Sequence, residues 1–284
     1  MFSSINAEQL WHDFANLADE TMQGRRTGTE GAHKAQSYIK SRFNNMGLEP
    51  FPQYPDYQQT FRYPDESASN KGVNVLGWHK GTTFPEQYIV LTAHYDHLGM
   101  QGKKVFYGAD DNASGVAALL TLADALIQQA STYSVIFVAT DAEELGLYGA
   151  SAFLRSSPVN VKNFLLNINL DMLAEGSRRK KLYITSRGDA TLDKKIQHII
   201  TQAGVCLVKG HRSRFANNSF QHNVNWRKAS DHTAFAKLAI PYLFIGVETH
   251  ARYHTPEDTV EQIDRLFYTA ATETAWLMLQ TFNQ

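Results

Sequence analysis

The sequence predicts an α/β fold of three layers, with helices covering both faces of a mostly parallel, mixed central sheet. Three observations lead there. Apolar runs such as YIVL, VIFVA and PYLFIGV lack two-residue alternation, as strands covered on both faces do. These runs alternate with segments of helical period, the pattern of a parallel sheet between helical layers. The length of 284 residues, 43% of them hydrophobic and 19% charged, suffices for one large core. With no internal repeat, low-complexity tract or linker, one domain spanning residues 1–284 is expected.

Taken in order, NAEQLWHDFANLADE sets Leu10, Phe14 and Leu17 on one helical face. GTEGAHKAQSYIKSRFNNMGLEP repeats the period with Ala35, Tyr38, Ile39 and Phe43 and stops at Gly47. GVNVLGW and YIVLTAHYDH read as strands, SGVAALLTLADALIQQ as a helix, YSVIFVATDAEE as a strand and LYGASAFLRSS as a helix. FLLNINLDM and KLYITS are strand-like, LDKKIQHIITQAG is helical, PYLFIGV is a strand, and VEQIDRLFYTAATETAWLMLQTF closes as a long helix. Segment 210–230, GHRSRFANNSFQHNVNWRKAS, breaks the alternation; such loops are commonly functional or mobile.

Bulk properties exclude several function classes. Lys plus Arg (27) nearly balances Asp plus Glu (28), so no global field favours nucleic acid or an anionic membrane. No stretch is apolar enough for a transmembrane helix. The opening MFSSINAEQLW lacks the basic and apolar regions of a signal peptide. Cys206 is the only cysteine, which rules out an internal disulfide and any metal site built from several thiolates. Its setting, AGVCLVKG, predicts a small apolar residue buried on a strand.

The chemistry gathers at strand ends. His94, Asp96 and His97 follow YIVLTA, Glu143 and Glu144 follow VIFVATDA, Asp171 closes FLLNINLD, and His254 follows PYLFIGV by a short loop. Asp110 and Asp111 sit in GADDNASG, just before a helix. Ligand sites of open α/β sheets lie at the carboxyl ends of strands, so four strands deliver these side chains to one edge. Singly, each reads as a cap or turn residue. Together they place several carboxylates beside buried apolar strands, where uncompensated charge is costly and a cation is the economical explanation. Histidine and carboxylate ligands without sulfur suit zinc, with manganese or cobalt as substitutes. No HExxH helix occurs, and the carboxylates outnumber the needs of one catalytic zinc. Two metals sharing one Asp use them better.

AHYDHLG, GADDNASGVAAL, ATDAEELGLYGA, NLDM, ASDHTAF and YHTPEDT, in that order and spacing, resemble the co-catalytic di-zinc aminopeptidase family. This family includes bacterial leucyl-type aminopeptidases and is related to glutamate carboxypeptidases and glutaminyl cyclases. GRRTGTEGAHKAQSYIKSRFNNMGLEP resembles its amino-terminal helix, so the likeness covers nearly the whole chain. The resemblance implies the zinc-exopeptidase version of the fold, two zinc ions, a peptide substrate, and a periplasmic or secreted location. It implies that Asp111 bridges the metals, that His94 and Asp171 complete one site, and that Glu144 and His254 complete the other. Glu143 would be general base and acid, and Tyr253 a donor to the oxyanion. Asp96 would take the free imidazole N–H of His94, and Asp231 would support the ligands from behind. It also implies a cis peptide at Asp111–Asn112. His97 and His232 are expected in structural roles, and His250 receives none.

Three alternatives stay open at this level. A glutaminyl cyclase shares the fold and most ligand positions but uses one zinc. A carboxypeptidase or dipeptidase shares the metal motifs, with Arg212, Arg214 or Arg227 as candidates to hold a substrate carboxylate. A binding domain with a relic site is opposed by the retained Glu143. Phe215, Phe220 and Trp226 are candidates for a pocket wall.

Overall fold

The computed structural model describes residues 5–64, 70–176, 180–211 and 224–284. Helix α1 (Ala7–Leu17) begins where the Asn6 side chain accepts the Gln9 amide and buries Leu10, Phe14 and Leu17 along one stripe. Helix α2 (Glu30–Met46) is capped by Thr29 and ends at Gly47, which takes the left-handed conformation that such a stop requires.

Strands β1 (Gln58–Arg62), β2 (Lys71–His79) and β3 (Phe84–His94) follow, then a small hairpin of β4 (Gly99–Gln101) and β5 (Lys104–Phe106). One wide helical turn, Ala109–Ser114, leads into α3 (Gly115–Ile127). The chain continues through β6 (Tyr133–Thr140), α4 (Tyr148–Arg155), β7 (Phe164–Leu170), β8 (Lys181–Arg187), α5 (Ala190–Gln202) and β9 (Cys206–Lys209). It ends with α6 (His232–Lys237), β10 (Tyr242–Gly246) and α7 (Arg265–Phe282).

Among the described residues the main sheet has eight strands in the order β1-β2-β6-β3-β7-β10-β8-β9. Its centre is a parallel block, β6-β3-β7-β10, flanked by antiparallel pairings of β2 with β6 and β8 with β10. The carboxyl ends of all four central strands therefore lie along one edge. Both faces are covered. Ile89 and Leu91 of β3 pack with residues of α1, α2, α3, α5 and α7, whereas Tyr88 and Val90 pack with residues of α4 and α6. The expected three layers and mostly parallel, mixed sheet are present.

Two expectations need correction. Cys206 is exposed. It opens the edge strand β9, where Leu207 takes the inward position and its neighbours on either side face out. The closing helix starts at Arg265, where the Asp264 carboxylate caps the amides of Leu266 and Phe267; Val260–Gln262 forms a separate 3₁₀ turn. No helix among the described residues is long and apolar enough to cross a membrane.

Candidate metal centre

Each central strand brings its predicted group to the common edge. His94 is the last residue of β3, Asp171 directly follows β7, Glu143 and Glu144 stand just past β6, and His254 lies in the loop after β10. Asp111 reaches the same place from the turn before α3. Backbones around these groups are bent hard: Ala142, Met172 and His254 all have positive φ, near 60°. Non-glycine residues hold that conformation only where their surroundings enforce it. The Asp111–Asn112 peptide is cis.

Asp111 stands between two groups of ligands. Its Oδ1 lies 3.4 Å from His94 Nε2, which is also 3.4 Å from Asp171 Oδ1. Its Oδ2 lies 3.0 Å from His254 Nε2, which is 3.2 Å from Glu144 Oε2. Donor atoms of His94, Glu143 and Asp171 lie within 4.8 Å of one another, as do those of His97, Asp111, Glu144 and His254. The cluster is closed at one end and open at the other: the His94 side chain is 2% exposed, that of His254 34%.

The residues fit metal ions. Asp111 Oδ2 and His254 Nε2 are buried and 3.0 Å apart, yet neither makes an aligned hydrogen bond. Atoms so placed face a common point instead of each other. The donors are imidazoles and carboxylates, the set that zinc accepts. Burial opposes charge on the His94 ring, but Glu143, Asp171 and Asp111 outweigh it and raise its pKa well above the ordinary value. His254 is raised to about 10 in the same way, by Asp111 and Glu144 against burial. Burial, reinforced by Asp171, Glu144 and Asp231 and opposed by His94, raises Glu143 well above the carboxylate range. So much negative charge at one place favours a cation.

The supporting network explains why the ligands stay in place. Asp96 was expected to accept the His94 imidazole N–H through its carboxylate, but the main-chain carbonyl of Asp96 is the nearer partner, at 3.1 Å from Nδ1. The carboxylate, 3.8 Å from that nitrogen, is engaged elsewhere: it accepts the amides of Glu143 at 3.0 Å and Glu144 at 3.2 Å. Asp231 accepts a hydrogen bond from Thr140, and burial raises its pKa to about 6. Asn112 joins the start of α3 to the end of β7. Its Nδ2 donates to Leu170, and its Oδ1 accepts the amides of Gly115 and Met172. A Cβ at Gly115 would lie 2.3 Å from that Oδ1, so no larger residue fits there. Tyr253 stacks on the His254 ring with centroids 3.8 Å apart, and burial beside the site's carboxylates keeps its hydroxyl protonated.

Several participants carried no sequence signal for their role. Arg25 is fully buried and donates to the main-chain carbonyls of Leu17, Tyr95, Tyr107 and Gly108, tying together the loops that carry His97 and Asp111. Asp258 accepts the amides of Asp110 and Asp111. His250 is 3.1 Å from Asp110, whose other oxygen accepts the amides of Ala174 and Glu175 just beyond Asp171. His97, expected in a structural role, lies inside the cluster, where one ring nitrogen is within 4.8 Å of the donors of Asp111, Glu144 and His254. His232 does have a packing role, stacked on Phe244 and bonded to the Trp226 carbonyl. Trp226 stacks on His211, and Arg227 lines a separate shallow recess with them. Arg212, Arg214, Phe215 and Phe220 lie outside the described residues.

Comparison with known proteins places this geometry in context. The sequence pattern of peptidase family M28 matches residues 74–279. The alkaline phosphatase isozyme conversion protein of Escherichia coli (strain K12) is 34% identical over 197 residues, 61% of this chain and 54% of that protein. Aminopeptidase YwaD of Bacillus subtilis (strain 168) is 30% identical over 201 residues, 68% of this chain and 40% of that protein. The chain thus spans about half the length of these relatives. Among solved structures, the zinc aminopeptidase BSAP from Bacillus subtilis superposes with a TM-score of 0.74 at 17% identity, covering 96% of this chain and 93% of that one. Porphyromonas gingivalis glutaminyl cyclase gives 0.75 at 18% identity, covering 99% and 98%. At such identities these likenesses show the fold.

Proposed function

Because the chain belongs to peptidase family M28, we propose that it is a zinc-dependent aminopeptidase, removing amino-terminal residues from peptides with Glu143 as general base. The observation that carries this reading is the posture of Asp111, which offers one oxygen to His94 and the other to His254. His94 and Asp171 would hold one metal, Glu144 and His254 the other, with Asp111 shared. Metals bound there would polarise the scissile carbonyl and lower the pKa of an attacking water.

The chain's own residues supply the rest. Glu143, whose carboxylate lies within 4.8 Å of the His94 and Asp171 donors, is suited to take the water proton and return it to the leaving amine. Asp96 fixes the backbone of Glu143 and Glu144 together, so base and ligand keep a constant offset. The protonated Tyr253 hydroxyl, on the open side beside His254, is suited to donate to the developing oxyanion.

Recognition of the amino end follows from charge. Glu143 and Asp171 offer acceptors to a substrate ammonium. The described cations near the site are engaged: Arg25 with four carbonyls, Arg252 with Glu175. The test is a panel of amino-acid anilides with free and acetylated amines, beside peptides with blocked carboxyl ends, with and without chelator. Cleavage confined to free amines is expected. Efficient cleavage of acetylated substrates that require a free carboxylate would identify a carboxypeptidase and turn attention to Arg212, Arg214 and Arg227.

A further inference from the structure

Three imidazoles enter the cluster, and they do so differently. His94 and His254 direct Nε2 between carboxylate oxygens of different residues: Asp111 and Asp171 for the first, Asp111 and Glu144 for the second. His254 Nε2 aligns with neither oxygen as a hydrogen-bond donor. His97 behaves otherwise. Its Nδ1 lies 2.9 Å from Glu144 Oε1 in good hydrogen-bond alignment and 3.7 Å from Asp111 Oδ2. The two oxygens of Glu144 are thereby divided, Oε1 toward His97 and Oε2 toward His254.

The far side of the ring agrees. His97 Nε2 is buried without a partner. Were Nδ1 a metal ligand, the proton would sit on Nε2 as an orphaned buried N–H, which is rare; metal-bound histidines almost always donate that hydrogen to an acceptor. With the proton on Nδ1, Nε2 keeps only a lone pair, the less costly orphan. Gly108 leaves the room that the ring occupies, since a Cβ there would lie 2.5 Å from His97 Cγ.

We propose that His97 is a positioning residue: its Nδ1–H holds Oε1 of Glu144 and leaves Oε2 to face the metal pocket shared with His254. This inference rests on the metallopeptidase reading of the site and adds to it a residue that sets ligand geometry without ligating. The consequence is a selective one. Loss of the donor should weaken the metal held by Glu144 and His254 while sparing the one held by His94 and Asp171.

Side-chain shape supplies the test. The Asn amide nitrogen occupies the place of imidazole Nδ1, and the Gln nitrogen that of Nε2. Zinc retention of the full chain is measured against a graded series of chelators, with the visible spectrum of the cobalt-loaded protein as a second readout. His97→Ala and His97→Gln should lose one of two metals at roughly 10–100-fold lower chelator strength, the usual effect of removing a partner of a ligand. His97→Asn should restore both retention and the wild-type cobalt spectrum. Wild-type retention in all three variants would overturn the proposal, as would a His97→Asn variant as defective as His97→Ala, since that pattern marks a ligand. A wild-type protein that takes up no metal would instead defeat the metallopeptidase reading itself. Urea midpoints of the chelated proteins separate loss of metal from loss of fold.

Discussion

The carboxylate of Asp258 holds Asp111 by its main-chain amide, at 3.1 Å, across 147 residues of sequence. The same side chain takes the Asp110 amide at 2.9 Å, and the Asp258 carbonyl takes that of Ala109. The aspartate proposed to bridge the metals is therefore anchored through its backbone, leaving both side-chain oxygens for the cluster.

Replacing Asp258 by Ala should leave two buried amides without an acceptor. Each such orphan costs about 1–3 kcal/mol, so a loss of roughly 2–6 kcal/mol is expected, with zinc released at lower chelator strength. Asp258→Asn, which keeps one acceptor oxygen, should fall between. Urea unfolding of the metal-free proteins checks this. An alanine variant with an unchanged midpoint would show that the grip contributes nothing.

Glu143 and Glu144 are neighbours with separate proposed tasks. Glu143→Gln should lose roughly 10²–10⁴ in turnover, the range of general acid–base catalysis, yet keep its metal. Glu144→Gln should weaken one metal. Matching metal contents in the two variants would refute the division.

Protein purified without chelator should carry about two zinc ions per chain, following the co-catalytic pattern. Elemental analysis beside activity decides. A reproducible single zinc with full activity, unchanged by zinc titration, would remove the dinuclear model and favour the single-zinc alternative.

Acid should destabilise the fold through two histidines outside the metal cluster. His211, sandwiched between Trp226 and Phe244, is pushed down to about 3 by burial and by nearby His232; His232 is pushed down to about 4 by burial. An unfolded histidine takes its proton near 6.5, so below that pH the unfolded chain binds protons that the folded one refuses. Stability is then full above about pH 6.5 and falls with acidification until the folded values are reached, by up to about 1.4 kcal/mol per pH unit for each ring. His211→Phe should flatten that slope by one histidine's share in urea titrations of chelated protein. An unchanged slope would exclude His211 as a source.

The gathering of these side chains was legible in the sequence because candidate ligands leave a signature. An apolar run that ends in His94, or in Asp171, has no packing reason to do so. The grips that hold the ligands were illegible for an equally physical reason. Arg25 and Asp258 bind main-chain carbonyls and amides, which every residue possesses and no letter announces. Asp96 was placed in the right neighbourhood, but its main-chain carbonyl, which no letter announces, stands nearer His94 than its carboxylate does. Cys206 depended on knowing that β9 lies at the sheet edge, which only strand order reveals.

Arg25 also decides where this protein can be cut. The family's sequence pattern begins at residue 74, but the guanidinium that joins Tyr95 to Gly108 comes from upstream, beside the end of α1. A fragment trimmed to the pattern would strand carbonyls in a pocket with no replacement donor and would free the stretch leading to Asp111. The amino-terminal helices thus belong to the same packed body as the cluster, sharing one core with β3 and α3. A chimera between relatives should exchange residues 17–111 as one block, because a splice anywhere inside would separate the clamp from what it holds.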